Sequence, residues 1–150
     1  MFLRRSRASY GRNVGIAEAH ADLIAFTDGD VLVDSNWVER VKTVFDAVPD
    51  HACIGGRALP IWPHRQPTWL NRRHWSPLAL LDYDEAQTMD ANNRKCLVTA
   101  NMSARRIVFE QIGYFRPQFQ KTKGSTCSVE DRELQERYWK AADVAGSIPR

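Results

Sequence analysis

Short apolar runs and one amphipathic stretch organise the first third of the chain. Residues 23–27 form an apolar run that predicts a buried strand, and a polar turn signal at 28–30 ends it. Between 37 and 48 the apolar positions recur at offsets of one, three and four, which predicts a helix with one buried face. The side chains at 34–35 can cap its start, and the proline at 49 ends it.

Weaker patterns predict the other elements. They predict strands at 52–56 and 96–100 and a loop at 84–95. They also predict three helices, at 8–21, at 103–112 with Ser103 as the N-cap, and a last one that begins after its N-cap Ser128. Strands that alternate with helices are typical of a layered α/β fold, here as one domain over residues 1–150. Ligands bind such folds at the carboxyl ends of the strands, so Asp28, Asp30 and Asn101, which each closely follow an apolar run, are candidates for chemistry.

Composition and charge exclude several classes of protein. The net charge of +3 and the 43% of hydrophobic residues are ordinary for a globular domain and do not indicate a nucleic-acid-binding protein. No apolar run approaches the ~20 residues of a membrane span, and the start of the chain lacks the apolar stretch of a signal peptide. The three cysteines lack metal-binding spacing, which favours reduced thiols in a cytoplasmic protein.

Basic residues are concentrated in two places along the chain. They are Arg4, Arg5, Arg7 and Arg12 near the start, and Arg65, Arg72, Arg73 and His74 in a middle stretch. Each cluster could contact phosphates or an anionic membrane surface, and the alternative for each is a solvated charged surface.

Two carboxylates, Asp28 and Asp30, stand two residues apart in the turn that follows the first predicted strand. Gly29 lets this turn be tight, so that both side chains can point toward one site. Hard cations such as Mg²⁺ and Mn²⁺ prefer carboxylate oxygens and often share them with substrate phosphates. The pair therefore predicts a metal site that would neutralise a diphosphate, and the alternative is an ordinary Asp-Gly turn.

Glu130 and Asp131 lie at the start of the last predicted helix. Asp131 stands three residues after Ser128, the position of the acid in a capping box, where it complements the helix dipole without any catalysis. The functional interpretation is a general base that accepts a proton from a hydroxyl group. The helix dipole is expected to lower the pKa of Asp131 and to keep it ionised at neutral pH.

The stretch 60–77 is rich in proline, tryptophan and arginine and is predicted to lack regular structure. Loops of this length are uncommon unless they are functional or disordered. The faces of Trp62, Trp69 and Trp75 could stack on sugar rings, contact a membrane surface or stack on nucleic-acid bases. Local packing of the loop is the structural alternative.

Several segments share their order and spacing with a known family. They are 11–17, 21–30, 36–37, 55–57, 99–103 with Arg105 and Arg106, 109–115, and 130–134 with Arg137. Together they resemble inverting family 2 glycosyltransferases of the GT-A fold over about residues 10 to 140. The resemblance implies a partial GT-A (Rossmann-like) three-layer α/β sandwich with a mainly parallel or mixed sheet.

The resemblance also implies a reaction, in which a sugar passes from a nucleotide-diphosphate donor to an acceptor hydroxyl with inversion at the anomeric carbon. By this resemblance, Asp28 and Asp30 bind a divalent metal (Mn²⁺ or Mg²⁺) and the donor diphosphate, and Asp131 is the catalytic base with Glu130 beside it. Arg12 and Asn13 belong to a helix that borders the nucleotide. Asn101 and Met102 form the floor of the donor-sugar and acceptor pocket. The acceptor is expected on Met102, Trp62 and Trp69.

The pattern departs from the family at both ends. Members usually begin with two strands that hold the base and ribose, and often carry a later histidine at the metal, and neither is evident here. We therefore expect a truncated domain that takes a nucleotide sugar and a carbohydrate or lipid-linked acceptor, with no nucleic-acid partner. It is expected in the cytoplasm or peripherally on the inner face of the membrane. The alternative is an inactive remnant that binds a carbohydrate or a partner through 60–77.

Overall fold

The computed structural model describes residues 8–71, 74–75, 78–82, 87–89, 96–119 and 129–145. In chain order, the helices and strands within these ranges are α1 (Ala8–Glu18), β1 (Leu23–Phe26), α2 (Trp37–Ala47), β2 (Cys53–Gly55), β3 (Gln87–Met89), β4 (Met102–Arg105), α3 (Arg106–Ile112) and α4 (Glu130–Ala145). Short 3₁₀ turns lie at Thr99–Asn101 and Pro117–Phe119. Several residues singled out above lie outside the described residues: Arg4, Arg5, Arg7, Arg72, Arg73 and Ser128.

The four described strands form one sheet in the order β1-β4-β2-β3, and every neighbouring pair is antiparallel. The predicted α/β class is confirmed, but the expected parallel neighbours are not found among these strands. β1 and β2 do run in the same direction, since both are antiparallel to β4. The reason for the difference is that β4, which comes from much later in the chain, enters between them and separates the two strands that share a direction.

The strand predicted at 96–100 lies a few residues later, as β4 at Met102–Arg105. The backbone of the predicted segment pairs with side chains of α4 instead of with a neighbouring strand. Gln135 accepts the N–H of Leu97 and donates to its carbonyl, both at 2.8 Å, and Asp131 accepts the N–H of Thr99 at 3.0 Å. Helix α4 thus provides the hydrogen bonds that a strand neighbour would otherwise provide.

Two predicted helix caps are corrected by the structure. Ser103 is buried within β4, so α3 begins later than predicted, after Arg105, which makes no side-chain capping bond. Helix α2 follows Asn36, whose side chain also makes no capping bond. Asp34 stabilises the approach to α2 instead, because its carboxylate accepts the N–H of Asn36 at 2.9 Å.

The core lies between the sheet and helices α1, α3 and α4. Phe26 of β1 meets Phe109 of α3 and Phe115 edge to face, at ring-centroid distances of 5.8 and 5.7 Å. Helix α4 covers this cluster with Leu134 and Tyr138, which are both buried. The last helix is therefore part of the same core as the first strand, and it brings its own N-terminus close to the end of β1.

The predicted loop at 84–95 contains a short strand, β3, which adds to the free edge of β2. The rest of that segment lies outside the described residues. No described helix has both the length and the apolar character needed to cross a bilayer. Cys53 is buried and Cys96 half-buried, and neither forms a disulfide within the described residues.

Candidate functional site

The turn after β1 carries the predicted acidic pair. It is closed by a hydrogen bond from the N–H of Val31 to the carbonyl of Asp28 at 3.2 Å. The carboxylate of Asp28 is partly exposed and that of Asp30 is exposed, and both residues line the same cleft. Because β1 ends at Phe26, the sheet itself fixes where this turn begins.

Arg12 of α1 connects this turn to the start of α4. Its guanidinium lies 3.1 Å from an oxygen of Asp28, 3.1 Å from Glu130 and 3.8 Å from Asp131. The side chain of Arg12 is 15% exposed and that of Glu130 is 7% exposed, so water screens this contact only weakly. One cation therefore lies among three carboxylates that the sequence places up to 119 residues away from it.

Asp131 is fixed by the 3₁₀ turn that precedes β4. One of its oxygens accepts both the N–H and the hydroxyl of Thr99, at 3.0 and 3.1 Å. The other oxygen is buried and has no hydrogen-bond partner within the described residues. Burial raises the pKa of Asp131 above its ordinary value, and the neighbouring Glu130 adds to this, while Thr99 and Arg12 oppose it. The expectation that this pKa would be lowered is wrong, because desolvation outweighs the contributions of Thr99 and Arg12 that lower it.

Asn101 forms part of the wall of the cleft, and both ends of its side-chain amide are engaged. The indole of Trp37 donates to its oxygen at 2.9 Å, and its nitrogen donates to the carbonyl of Arg57 at 2.9 Å. A Cβ atom at Gly56 would lie 2.5 Å from that nitrogen, so only glycine leaves room for this amide. The Gly-Gly-Arg segment at 55–57 therefore orients Asn101.

The cleft has a volume of ≈ 840 Å³ and runs between α2, the turn after β1 and the segments at 56–61 and 78–80. The acidic pair and Asn101 line it together with the apolar face of α2. Arg12, Glu130 and Asp131 do not line it. They form a second layer behind the acidic pair.

A family model described as Glycosyl transferase family 2 matches residues 2–113, which is most of the chain. The chain belongs to glycosyl transferase family 2. The predicted family is therefore confirmed, and the acidic turn, Arg12 and Asn101 all fall within the matched residues, whereas α4 follows them.

One curated relative of this family 2 chain comes from Haloferax volcanii and is described as a glucosyl-dolichyl phosphate glucuronosyltransferase. It is 24% identical over 105 residues, which are 70% of this chain and 33% of the relative. The chain thus spans about a third of the length of that relative. No solved structure matches the chain significantly.

The residues present fit the divalent metal that was expected from the family 2 resemblance. Within the described parts of the chain, no group of three or more His, Cys, Asp or Glu side chains could hold a metal ion. Magnesium, however, is usually held by only one or two carboxylates together with substrate phosphates. Asp28 and Asp30 supply two carboxylates at an accessible cleft, and Arg12 occupies just one oxygen of Asp28.

Two predicted site residues have other roles in this family 2 chain. Met102 is 0% exposed and lies in the core, so its side chain has no surface with which to contact an acceptor. The amide of Asn13 is paired at both ends with the backbone of Phe115, at 2.8 and 2.9 Å, and joins α1 to the segment after α3. Asn13 therefore holds Arg12 in place from the next position along α1.

The predicted aromatic stretch is only partly accessible. Trp69 is 69% exposed and meets the ring of His74 edge to face, whereas Trp62 is half-buried. Arg72 and Arg73 lie outside the described residues. Among the aromatic side chains that the structure describes, Trp37 lines the cleft and donates to Asn101, a predicted site residue. The segment 36–37 is part of the family resemblance, but the sequence predicted no role for Trp37.

Two polar residues support the site in roles that the sequence did not reveal, Gln135, which is buried, and Arg105, which is half-buried. Gln135 binds the backbone of Leu97 and so holds that segment beside Asp131. Gln135 lies one helical turn after Asp131, a spacing that becomes informative only when the bounds of α4 are known. Arg105 donates to the carbonyls of His51 and Phe45 and lies over the Phe45 ring at 4.9 Å. It ties β4 to the end of α2, on the other side of the cleft.

Proposed function

We propose that this chain carries the donor and catalytic part of a glycosyltransferase that moves a sugar from a nucleoside-diphosphate donor to an acceptor hydroxyl with inversion. The observation that supports this most strongly is the set of contacts at Arg12. A single guanidinium connects the first carboxylate of the acidic pair to the Glu130–Asp131 pair. A transferase needs a diphosphate site and a base on neighbouring surfaces, and α1 keeps these groups together.

In the proposed reaction the acceptor oxygen bonds to the anomeric carbon as the bond from that carbon to the diphosphate oxygen breaks. The nucleoside diphosphate leaves with the electron pair of the broken bond, and Asp131 takes the proton of the acceptor hydroxyl. Thr99 fixes the orientation of Asp131 by donating to one of its oxygens, and the other oxygen, which is buried, would have to become accessible to the acceptor hydroxyl when the substrates bind. A pKa raised by burial makes Asp131 a stronger base than an exposed aspartate would be.

Asp28 and Asp30 would hold a divalent metal, Mn²⁺ or Mg²⁺, in this proposal. The bound ion would supply positive charge to the departing diphosphate. Arg12, close to Asp28, orients that carboxylate and adds a second positive charge at the same place. Asn101, held by Trp37 and Arg57, would line the donor-sugar side of the cleft.

We also propose a lipid-linked acceptor and peripheral contact with a membrane surface. The printed name of the Haloferax relative includes a dolichyl phosphate, which makes lipid-linked sugars the first acceptors to test. Trp69 and Ile61 are exposed apolar side chains close in sequence to the exposed Arg65, a composition that suits a membrane interface.

The proposal is tested by Mn²⁺-dependent binding of nucleotide sugars. Isothermal titration of the 150-residue chain with uridine, guanosine and thymidine diphosphate sugars is expected to give binding with at least one donor in the presence of Mn²⁺. Asp30→Ala is expected to weaken that binding at least about tenfold, since one of the two metal carboxylates is removed.

Asp22→Ala is the matched control, because its carboxylate is 98% exposed and lies outside the cleft. Equal Mn²⁺-dependent affinities for Asp30→Ala and the unmodified chain would reject the metal assignment. Absence of binding to every donor would instead favour the alternative of an inactive remnant that binds through 60–77.

A further inference from the structure

Arg137 of α4 binds the backbone at the end of α3. Its guanidinium donates to the carbonyls of Ile112, Gly113 and Tyr114, the last at 2.7 Å. The last carbonyls of a helix have no partner inside the helix, and basic side chains often satisfy them. The side chain of Arg137 is only 15% exposed, and so many acceptors around a planar guanidinium hold it in one orientation.

Glu133 keeps Arg137 in that orientation and joins it to the first turn of α4. It accepts from Arg137 through both carboxylate oxygens, at 2.8 and 3.0 Å, and from Arg116 at 3.1 Å. The side chain of Glu133 is 13% exposed, so water screens these pairs only weakly. Because Glu133 lies about one helical turn after Glu130, the turn at 112–114 is fixed to the end of α4 that carries the acidic groups.

The backbone that follows this turn leads to Arg12. The N–H and the carbonyl of Phe115 both pair with the side chain of Asn13, at 2.9 and 2.8 Å. The Arg12 guanidinium lies over the ring of Phe115, with its central carbon 5.6 Å from the ring centroid, which suits a cation–π contact. Phe115 therefore determines where Arg12 lies in two ways, directly through its ring and indirectly through Asn13 on the same helix.

We propose that Arg137 is a positioning residue that holds the turn at 112–114 against α4 and thereby keeps the Arg12 guanidinium between Asp28 and Glu130. The inference rests on the proposed sugar transfer, since Arg12 lies between the proposed metal carboxylate and the helix start that carries the proposed base. Arg137 does not line the cleft, so it is not expected to touch substrate. Its loss would let the guanidinium leave its place although every residue of the site is still present.

The test is nuclear magnetic resonance of the Arg137→Gln chain without metal or donor. The side-chain N–H protons of Arg12 are expected to exchange with water at least about fivefold faster than in the parent chain, because the segment beneath the guanidinium opens more often. Arg132→Gln is the control, since Arg132 pairs with Glu136 on the exposed surface of the same helix and is expected to leave Arg12 unchanged. Unchanged Arg12 exchange in folded Arg137→Gln would overturn the proposal.

The titration of Asp131 separates positioning from a simple loss of stability. Burial raises the pKa of Asp131, and Arg12, which is 3.8 Å away, opposes this rise. Glu130 and Thr99, which also act on this carboxyl, are the same in the variant. Arg137→Gln is therefore expected to raise the pKa of Asp131 further, as seen in the ¹³C resonance of its carboxyl group, and Arg12→Gln to raise it more. An unchanged pKa in Arg137→Gln would show that Arg137 has no influence on Arg12.

Arg137→Lys is the second variant, and it decides the matter if Arg137→Gln does not fold. Lysine keeps the charge toward Glu133 but lacks the planar fork that binds several carbonyls at once. Arg12 exchange is expected to be faster than in the parent chain, by about twofold or more. Exchange in Arg137→Lys equal to that in the parent would show that the charge alone is needed and would overturn the assignment.

Donor binding distinguishes a failure of this inference from a failure of the proposed function. If the parent chain binds a nucleotide sugar with Mn²⁺ and Arg12 exchange is unchanged in Arg137→Gln, sugar transfer stands and the role of Arg137 is rejected. If Arg12 exchange is faster in the variant but the parent chain binds no donor, the positioning of Arg12 stands and the proposed transfer by this chain is rejected.

Discussion

Arg12 stabilises a group of three carboxylates that would otherwise repel one another. Without it, Glu130 would be a nearly buried carboxylate next to Asp131 and facing Asp28, with one counter-charge fewer. Burying an unpaired charge is costly, and removal of one partner of a buried pair typically destabilises more than the pair itself stabilises. The functional contacts and the stability of the chain therefore depend on the same guanidinium.

Replacement of Arg12 by glutamine is expected to lower the free energy of unfolding by about 3 kcal/mol, because the ion pairs of Arg12 with Asp28 and Glu130 are both lost at a weakly solvated place. Urea denaturation followed by circular dichroism measures this change. Arg132→Gln is the control, since Arg132 pairs with Glu136 on the exposed surface of α4. Its replacement is expected to lower the free energy of unfolding by less than about 1 kcal/mol. Equal losses in the two variants would mean that the Arg12 contacts contribute no more than a surface ion pair.

Asp131→Asn is expected to gain stability relative to the unmodified chain as the pH rises from 3.8. Folding raises the pKa of Asp131 above that ordinary value, so ionisation costs more in the folded than in the unfolded chain. Below pH 3.8 the carboxyl is protonated in both states and the cost is absent, whereas above the raised pKa the cost is complete. The difference in unfolding free energy between variant and parent should therefore move in the variant's favour between pH 4 and pH 7.

Asp22→Asn, at an exposed carboxylate, serves as the comparison for that pH series. The prediction is contradicted if the difference in unfolding free energy between Asp131→Asn and the parent chain stays constant with pH or changes in favour of the parent. Either result would show that the folded chain does not disfavour the ionised carboxylate.

At the scale of the elements, the end of α3 depends on one glycine. Gly113 has φ +77° and ψ 178°, a backbone conformation that is essentially restricted to glycine, and its N–H closes the last turn of α3 on Phe109. The predicted end of this helix at residue 112 is thus confirmed. The segment that it redirects carries Phe115, which packs in the core and pairs with Asn13.

Gly113→Ala is expected to destabilise the chain by about 1–3 kcal/mol, because a Cβ atom disfavours this backbone conformation. Gly15→Ala offers the opposite case on α1. Gly15 is helical, and a Cβ there would meet no atom within 4 Å, so alanine is expected to stabilise by about 0.5–1 kcal/mol. Thermal unfolding of both variants measures the two shifts, and a loss in Gly15→Ala equal to that in Gly113→Ala would contradict this reasoning.

Elements with a local signal were predictable from the sequence, whereas elements held by distant partners were not. The run that ends at the acidic turn and the amphipathic α2 both lie where their patterns predict. The strand predicted at 96–100 was misplaced, since its backbone groups pair with Gln135 and Asp131 of α4, more than thirty residues away. No local pattern contains such a pairing.

The candidate site divides in the same way. Residue types, spacing and position after an apolar run indicated the acidic pair, Asp131 and Asn101, and the resemblance added a role for Arg12. The sequence did not reveal that Arg12 joins the two acidic groups, or that α2 contributes an apolar wall to the cleft. Both depend on how helices pack on the sheet, which side-chain identity alone does not determine.

At the scale of the whole molecule, α4 closes the core and the site together. It lies after the residues that the family model matches, yet Leu134, Tyr138 and Trp139 are buried in the same cluster as Ile24 and Phe26 of β1. Its first turn supplies Glu130 and Asp131 to Arg12 and Thr99. The chain should therefore unfold as one cooperative unit in which α4 and α1 lose their structure together.

Leu134→Ala tests that cooperativity, because it leaves a cavity on the inner face of α4 and is expected to cost about 2–5 kcal/mol. If α1, β1 and α4 open only together, amide hydrogen exchange measured by mass spectrometry should accelerate by the same factor, about a hundredfold, in peptides from all three. Lys140→Ala, on the exposed face of the same helix, should change exchange in none of them. Acceleration confined to α4 would show that this helix detaches separately, and Asp131 would then belong to an element that can leave the site while the acidic turn stays folded.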